Sequence, residues 1–144
     1  MLIYIFYGSE VVGIVLTAIL FMLIGMMWYS PSLFGKKWMK LVGVTAEVVE
    51  DSKMRARTSY AFMSLSALVM SYVLALFIKN MFVPNIMLAI SVGIAAWVGF
   101  IATSMSGEYL FNTKAKPWAL YAINSTYYLT NLIIGSAVLF IFLK

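Results

Sequence analysis

Among the polar side chains of the apolar second half of this chain, five stand out by their spacing: Ser104 and Glu108 in one run, and Asn124, Tyr128 and Asn131 in the next. Polar groups are costly in hydrocarbon, so where they concentrate carries information about function. Counted outward from Lys116, Glu108 and Asn124 are each eight residues away, and Ser104 and Tyr128 are each twelve. At about 1.5 Å per helical residue, Glu108 and Asn124 should lie at one depth, roughly 12 Å from the hairpin tip. Asn124, Tyr128, Asn131 and Gly135 follow an i, i+4, i+7, i+11 spacing that puts them on one helix face. The pattern predicts a polar seam between two helices. Two uses are open to it. It could be a binding cleft or ion path with Glu108 as its charged end. It could equally be structural, with Glu108 paired to Arg55, Arg57 or a hairpin lysine and the amides bonded between helices.

The remaining chemistry is narrow. Histidine and cysteine are both absent, which excludes disulfides, thiolate nucleophiles and imidazole metal sites. The other acid near an apolar run, Glu10, lies eighteen residues before Trp28 and so about 27 Å from it, at the opposite boundary. It reads as a solvated carboxylate. Acids at opposite faces cannot act as a general acid and base on one substrate. No P-loop and no GxGxxG is present, and only hydroxyls with a lysine base would be left for covalent catalysis. The eleven methionines are scattered and read as packing residues. We expect no enzyme activity, no cofactor and no bound metal.

The elements that position these residues follow from hydropathy. The chain has 144 residues, 64% hydrophobic and 10% charged, with the charges clumped between long uncharged runs. That is the distribution expected when lipid is the solvent. Four spans are predicted at about 9–29, 59–78, 86–111 and 117–143, making one all-α, up-down transmembrane bundle over 1–144. Pro31 stops the first span, Pro84 and Asn85 make the turn into the third, and Pro117 opens the fourth. The first span is expected to be retained, because no basic residue precedes it and no small-x-small cleavage site follows it. Short connections favour spans two, three and four packing in order.

Lys36, Lys37, Lys40, Lys53, Arg55, Arg57, Lys114 and Lys116 fall on one side of such a bundle, and Lys79 and Lys144 on the other. Eight against two makes the first side cytoplasmic and leaves both termini outside the cytoplasm. The net charge of +5 sits where it would meet anionic headgroups, so membrane lipids rather than nucleic acid are the expected partners. The cytoplasmic connection, residues 30–57, should hold a short interfacial helix with Trp38 dipped inward, and Thr45 is a candidate N-cap for a further helical stretch.

Small residues recur at every fourth position in span three, at Ser91, Ala95, Gly99, Thr103 and Gly107, and more weakly in span two at Ser64, Ala67, Ser71 and Ala75. Such faces let helix backbones approach closely. Packing inside one bundle is the first expectation for span three, and self-association through the same face is the alternative.

The run Trp28-Tyr29-Ser30-Pro31-Ser32-Leu33-Phe34-Gly35-Lys36-Lys37-Trp38-Met39-Lys40-Leu41 closely resembles the signature of a family of small prokaryotic membrane proteins, domain-of-unknown-function family seventeen-sixty-one. Gly99 to Thr103, Glu108 to Phe111, Ile123-Asn124 and Tyr127 to Leu129 extend the likeness over nearly the whole chain. The resemblance implies a four-helix multi-pass protein of a prokaryotic cell membrane and brings no reaction with it. It also implies that an acid or amide is common at the Glu108 position and a histidine at the Tyr128 position, so any histidine-dependent proton or metal role is missing here. Physically, the motif reads as an elbow: Pro31 ends the helix, Gly35 permits a tight bend, and Trp28, Phe34 and Trp38 anchor it at headgroup level. With Lys36, Lys37 and Lys40 it could also hold a lipid headgroup or a partner.

Two functions fit these residues. One is a non-enzymatic component that self-associates or joins a larger membrane complex. The other is a small oligomeric transporter or channel using the seam.

Overall fold

The computed structural model describes residues 5–44, 48, 53–111 and 117–144, with the backbone alone described for 53–57. Thr45, Lys114 and Lys116, and the side chains of Lys53, Arg55 and Arg57, lie outside the described residues. So do the cations expected to pair with Glu108.

Five helices make up the described chain: α1 (Ser9–Trp28), α2 (Gly35–Val42), α3 (Lys53–Asn80), α4 (Ile86–Leu110) and α5 (Trp118–Phe142). No strand occurs among the described residues. α1, α4, α5 and the Thr58–Asn80 part of α3 are each long and apolar enough to cross a membrane. Their ends have local causes. The Asn85 side chain accepts from Leu88 N at 2.9 Å and caps α4. Pro117, held at φ −64°, precedes the first turn of α5. Gly43 closes α2 at φ +76°, a left-handed backbone that glycine adopts without strain, and its N–H bonds back to Met39 O.

The helices do not pack in chain order. α1 and α5 form the centre, α3 lies mainly against α1, and α4 lies mainly against α5. α3 and α4 share one short turn yet pack far less against each other than against α1 and α5, which overturns the expectation that spans two, three and four pack in order. The reason is side-chain size. Ala67, Ser71 and Ala75 of α3 are buried, and Ser71 Oγ donates to Ile14 O of α1 at 2.8 Å. On the other flank Gly93 of α4 meets α5 so closely that an added Cβ would stand 2.6 Å from Leu132 O. Close backbone approach thus favours α3 on α1 and α4 on α5 over α3 on α4.

The small-residue stripe of α4 turns away from this core. Ser91, Ala95, Gly99 and Thr103 are exposed, Gly107 is half-buried, and a Cβ on Gly99 or Gly107 would meet nothing within 4 Å. Packing inside the bundle was the first expectation for this stripe, and the structure corrects it. The weaker stripe, on α3, is the internal one.

α4 is not uniform. Trp97–Ala102 is π-helical, a wider turn with i→i+5 bonding. Two hydrogen bonds with α5 brace it: its own Trp97 Nε1 donates to Ser125 O at 2.8 Å, and Tyr121 Oη of α5 donates to Ala102 O at 3.0 Å. The wider turn also opposes the drift of roughly 40° per step that an i+4 series accumulates on a regular helix of 3.6 residues per turn. The stripe therefore stays closer to one line than its spacing alone would give.

Glu10 is paired rather than simply solvated. Lys79 Nζ lies 2.6 Å from Glu10 Oε1 and also donates to Leu143 O at 3.2 Å, joining the starts and ends of three helices. Replacing Lys79 by methionine is expected to cost about 1 kcal/mol, the scale of a partly exposed pair, measurable as a lowered unfolding midpoint in detergent.

Candidate functional site

The site builds from the elbow. After α1 the chain turns through Ser30, whose Oγ donates to Met27 O at 2.7 Å and shares a hydrogen bond with Ser32 Oγ at 2.8 Å. Phe34 N then returns to Trp28 O and Gly35 N to Ser30 O, and the Trp28 and Phe34 rings lie 4.8 Å apart. Gly35 sits directly on this bend. A Cβ there would collide with Tyr29 O and come within 2.7 Å of Ser30 O, so only glycine fits. The bend folds α2 back toward α5.

That return delivers Trp38 to Asn124. Asn124 Oδ1 accepts from Tyr29 Oη at 3.0 Å and from Trp38 Nε1 at 3.2 Å, while its Nδ2 donates to Tyr109 Oη at 3.4 Å. One amide thereby ties the end of α1, α2, α4 and α5 together. Trp28 Nε1 donates to Ile123 O at 3.1 Å and Tyr127 Oη to Phe21 O at 3.3 Å, so the interface of α1 with α5 is hydrogen-bonded along this end. Rings surround these bonds. Tyr29 meets Trp38 edge-on at 5.6 Å and Tyr127 at 5.4 Å, and Tyr127 meets Tyr128 at 4.9 Å.

The predicted seam residues are divided by this arrangement. Ser104 and Glu108 are exposed on α4, and Ser104 Oγ donates to Phe100 O of its own helix. Asn124 and Tyr128 are half-buried, and Asn131 is fully buried. The α4 side chain that Asn124 Nδ2 reaches is Tyr109, next in the chain to Glu108. Neither amide atom of the buried Asn131 has a hydrogen-bond partner among the described residues. The Thr17, Ser125 and Ser136 hydroxyls are likewise buried without a partner among the described residues.

Of the expected anchors, Trp28 and Trp38 are half-buried and hydrogen-bonded to α5, while Phe34, Lys36, Lys37 and Lys40 are exposed. Sequence reasoning missed Tyr109, Trp97 and Tyr29 as site residues. Their partners lie 15, 28 and 95 residues away, and no periodicity links them.

Chemically, the site is neutral. Its side chains are phenols, indoles and an amide, which hydrogen-bond and stack without carrying charge, and an amide cannot exchange a proton. Among the described residues no three His, Cys, Asp or Glu side chains come together as a metal site. The arrangement can hold helices and can bind a neutral group.

Comparison with known proteins agrees with the opening motif. No curated protein and no solved structure matches the chain. The model of the family described as "Protein of unknown function (DUF1761)" matches residues 12–140, and the chain belongs to that family.

Proposed function

We propose that the protein is a non-enzymatic multi-pass component of a prokaryotic cell membrane that works by associating with a second copy of itself through the outer face of α4. The free stripe of Ser91, Ala95, Gly99 and Thr103 carries this reading. In lipid, helix association depends on close packing rather than on a hydrophobic drive, and small residues permit it. Burial supports it as well: 17% of the most apolar 18-residue stretch of α4 is buried, against 33% in each other span. The same face could instead admit a subunit of a larger membrane complex.

In this reading both termini lie outside the cytoplasm, by the distribution of lysine and arginine. α2 lies at the inner headgroup level, with exposed Lys36, Lys37 and Lys40 toward anionic lipid. The transporter reading is less well supported, because Ser104 and Glu108 are exposed on α4 while Asn124 is already bonded to three partners.

Native mass of the protein gently extracted from its membrane tests the proposal. A homo-oligomer is expected, and Gly99→Leu should weaken its association at least tenfold, since a side chain on the contact line separates the backbones. A wild-type monomer, or an oligomer indifferent to Gly99→Leu, would sink it. Unrelated subunits in the particle would favour the accessory role.

A further inference from the structure

Because α3 follows α1 while α4 follows α5, an opening remains along α3. At its α2 end is a chamber of about 330 Å³, walled by Phe21, Tyr29, Phe62, Tyr127, Tyr128 and Ser66. Beyond it runs a groove of about 610 Å³ walled by Val69, Val73, Phe77, Phe100, Ile101 and Leu132. Ser66 and Met70 line both cavities, and Tyr128 and Leu132 are one turn apart on α5, so the two are continuous.

The two halves differ in chemistry. The chamber has three phenols and two phenyl rings, and neither the Tyr128 nor the Ser66 hydroxyl makes a hydrogen bond among the described residues. The groove is almost wholly apolar, and Val69, Val73 and Phe100 on its rim are exposed, which opens it sideways to lipid. Among the described residues no charged side chain lines either cavity.

We infer that chamber and groove together bind one neutral membrane amphiphile of the prenylated quinone class, its ring in the chamber and its tail in the groove. Each part of that class follows from the walls. A lining without charge gives no counter-ion to a phosphate or ammonium headgroup, whose desolvation would go uncompensated. Aromatic walls favour a flat ring by stacking, and the free hydroxyls of Tyr128 and Ser66 are donors for ring carbonyls. The chamber volume lies in the range of small-ligand sites. From Ser66 to Phe77 the groove follows α3 for about 16 Å, enough for several isoprene-sized steps of tail. The inference does not rest on association through α4.

Ubiquinone-2 titrated into the purified full-length protein in nanodiscs tests it, read as quenching of tryptophan emission. Trp28 reports on the chamber, its ring 6.4 Å from that of Tyr127. Saturable quenching at one quinone per chain is expected. Tyr128→Phe keeps the ring, removes one donor and should weaken binding about three- to tenfold, the worth of one hydrogen bond. Ser66→Trp fills the junction and should abolish saturation while the far-ultraviolet melting curve is unchanged. Quenching that rises linearly with quinone and is equal in Tyr128→Phe would mean bulk partitioning and overturn the inference. Displacement by dioleoylglycerol at equal mole fraction would overturn it too, since that neutral lipid has carbonyls but no ring.

Discussion

Gly35→Ala is expected to unfold the α2 end of the protein at a clearly lower denaturant concentration than the wild type, with a loss on the order of 3 kcal/mol. The added methyl collides with Tyr29 O and crowds Ser30 O, backbone atoms that cannot rotate aside. Relief requires the elbow to open, which withdraws Trp38 from Asn124 and separates the Tyr29 and Trp38 rings. Overpacking and the lost hydrogen bond therefore act in one direction. Gly107→Ala is the control. Its Cβ enters open space on a helix, so the higher helix propensity of alanine should leave stability unchanged or raised by up to about 1 kcal/mol. Urea or dodecyl sulfate titration in micelles, followed by tryptophan emission, measures both. Equal midpoints for wild type and Gly35→Ala would show that the elbow is not tightly held.

Asn124→Leu should have an effect of similar size by a different route. It removes the partner of Tyr29, Trp38 and Tyr109 together. Hydrogen bonds between membrane helices average about 0.6 kcal/mol and those in soluble proteins about 1 kcal/mol, so three lost bonds cost roughly 2–3 kcal/mol. Tyr29→Phe alone should cost about a third of that. Because the three bonds share one amide, the double variant Asn124→Leu with Tyr29→Phe should be barely worse than Asn124→Leu. Strict additivity in the same titration would refute a shared node.

Much of this architecture follows from local sequence. The four spans, the stop at Pro31, the turn at Pro84 and Asn85 and a helix bearing Trp38 all come from hydropathy and turn chemistry, and the structure places the ends of the four spans within about two residues of expectation. Which spans are neighbours does not follow. A stripe of small residues says that a backbone can be approached closely and not by what. Ser71 and Gly93 found partners within the chain, whereas Gly99, on an equally small-residue face, did not. The π segment at Trp97–Ala102 is invisible to any pattern that assumes one helical period. Asn124 was recognised as a polar residue of interest, but its partners come from side chains 95, 86 and 15 residues away, beyond the reach of spacing arguments.

That separation also has a meaning in time. Asn124 is made after every side chain it binds, so Tyr29, Trp38 and Tyr109 leave the ribosome with their joint partner still unmade. α4 is in the same position, since the helix it rests on is the one synthesised next. α1 and α3 can meet early, but the docking of Trp38, the bracing of the π segment and the seating of α4 all wait on α5. α5, made after the helices it joins, is the keystone of this bundle, and its arrival is the moment at which a loose pair and a stray helix become one body.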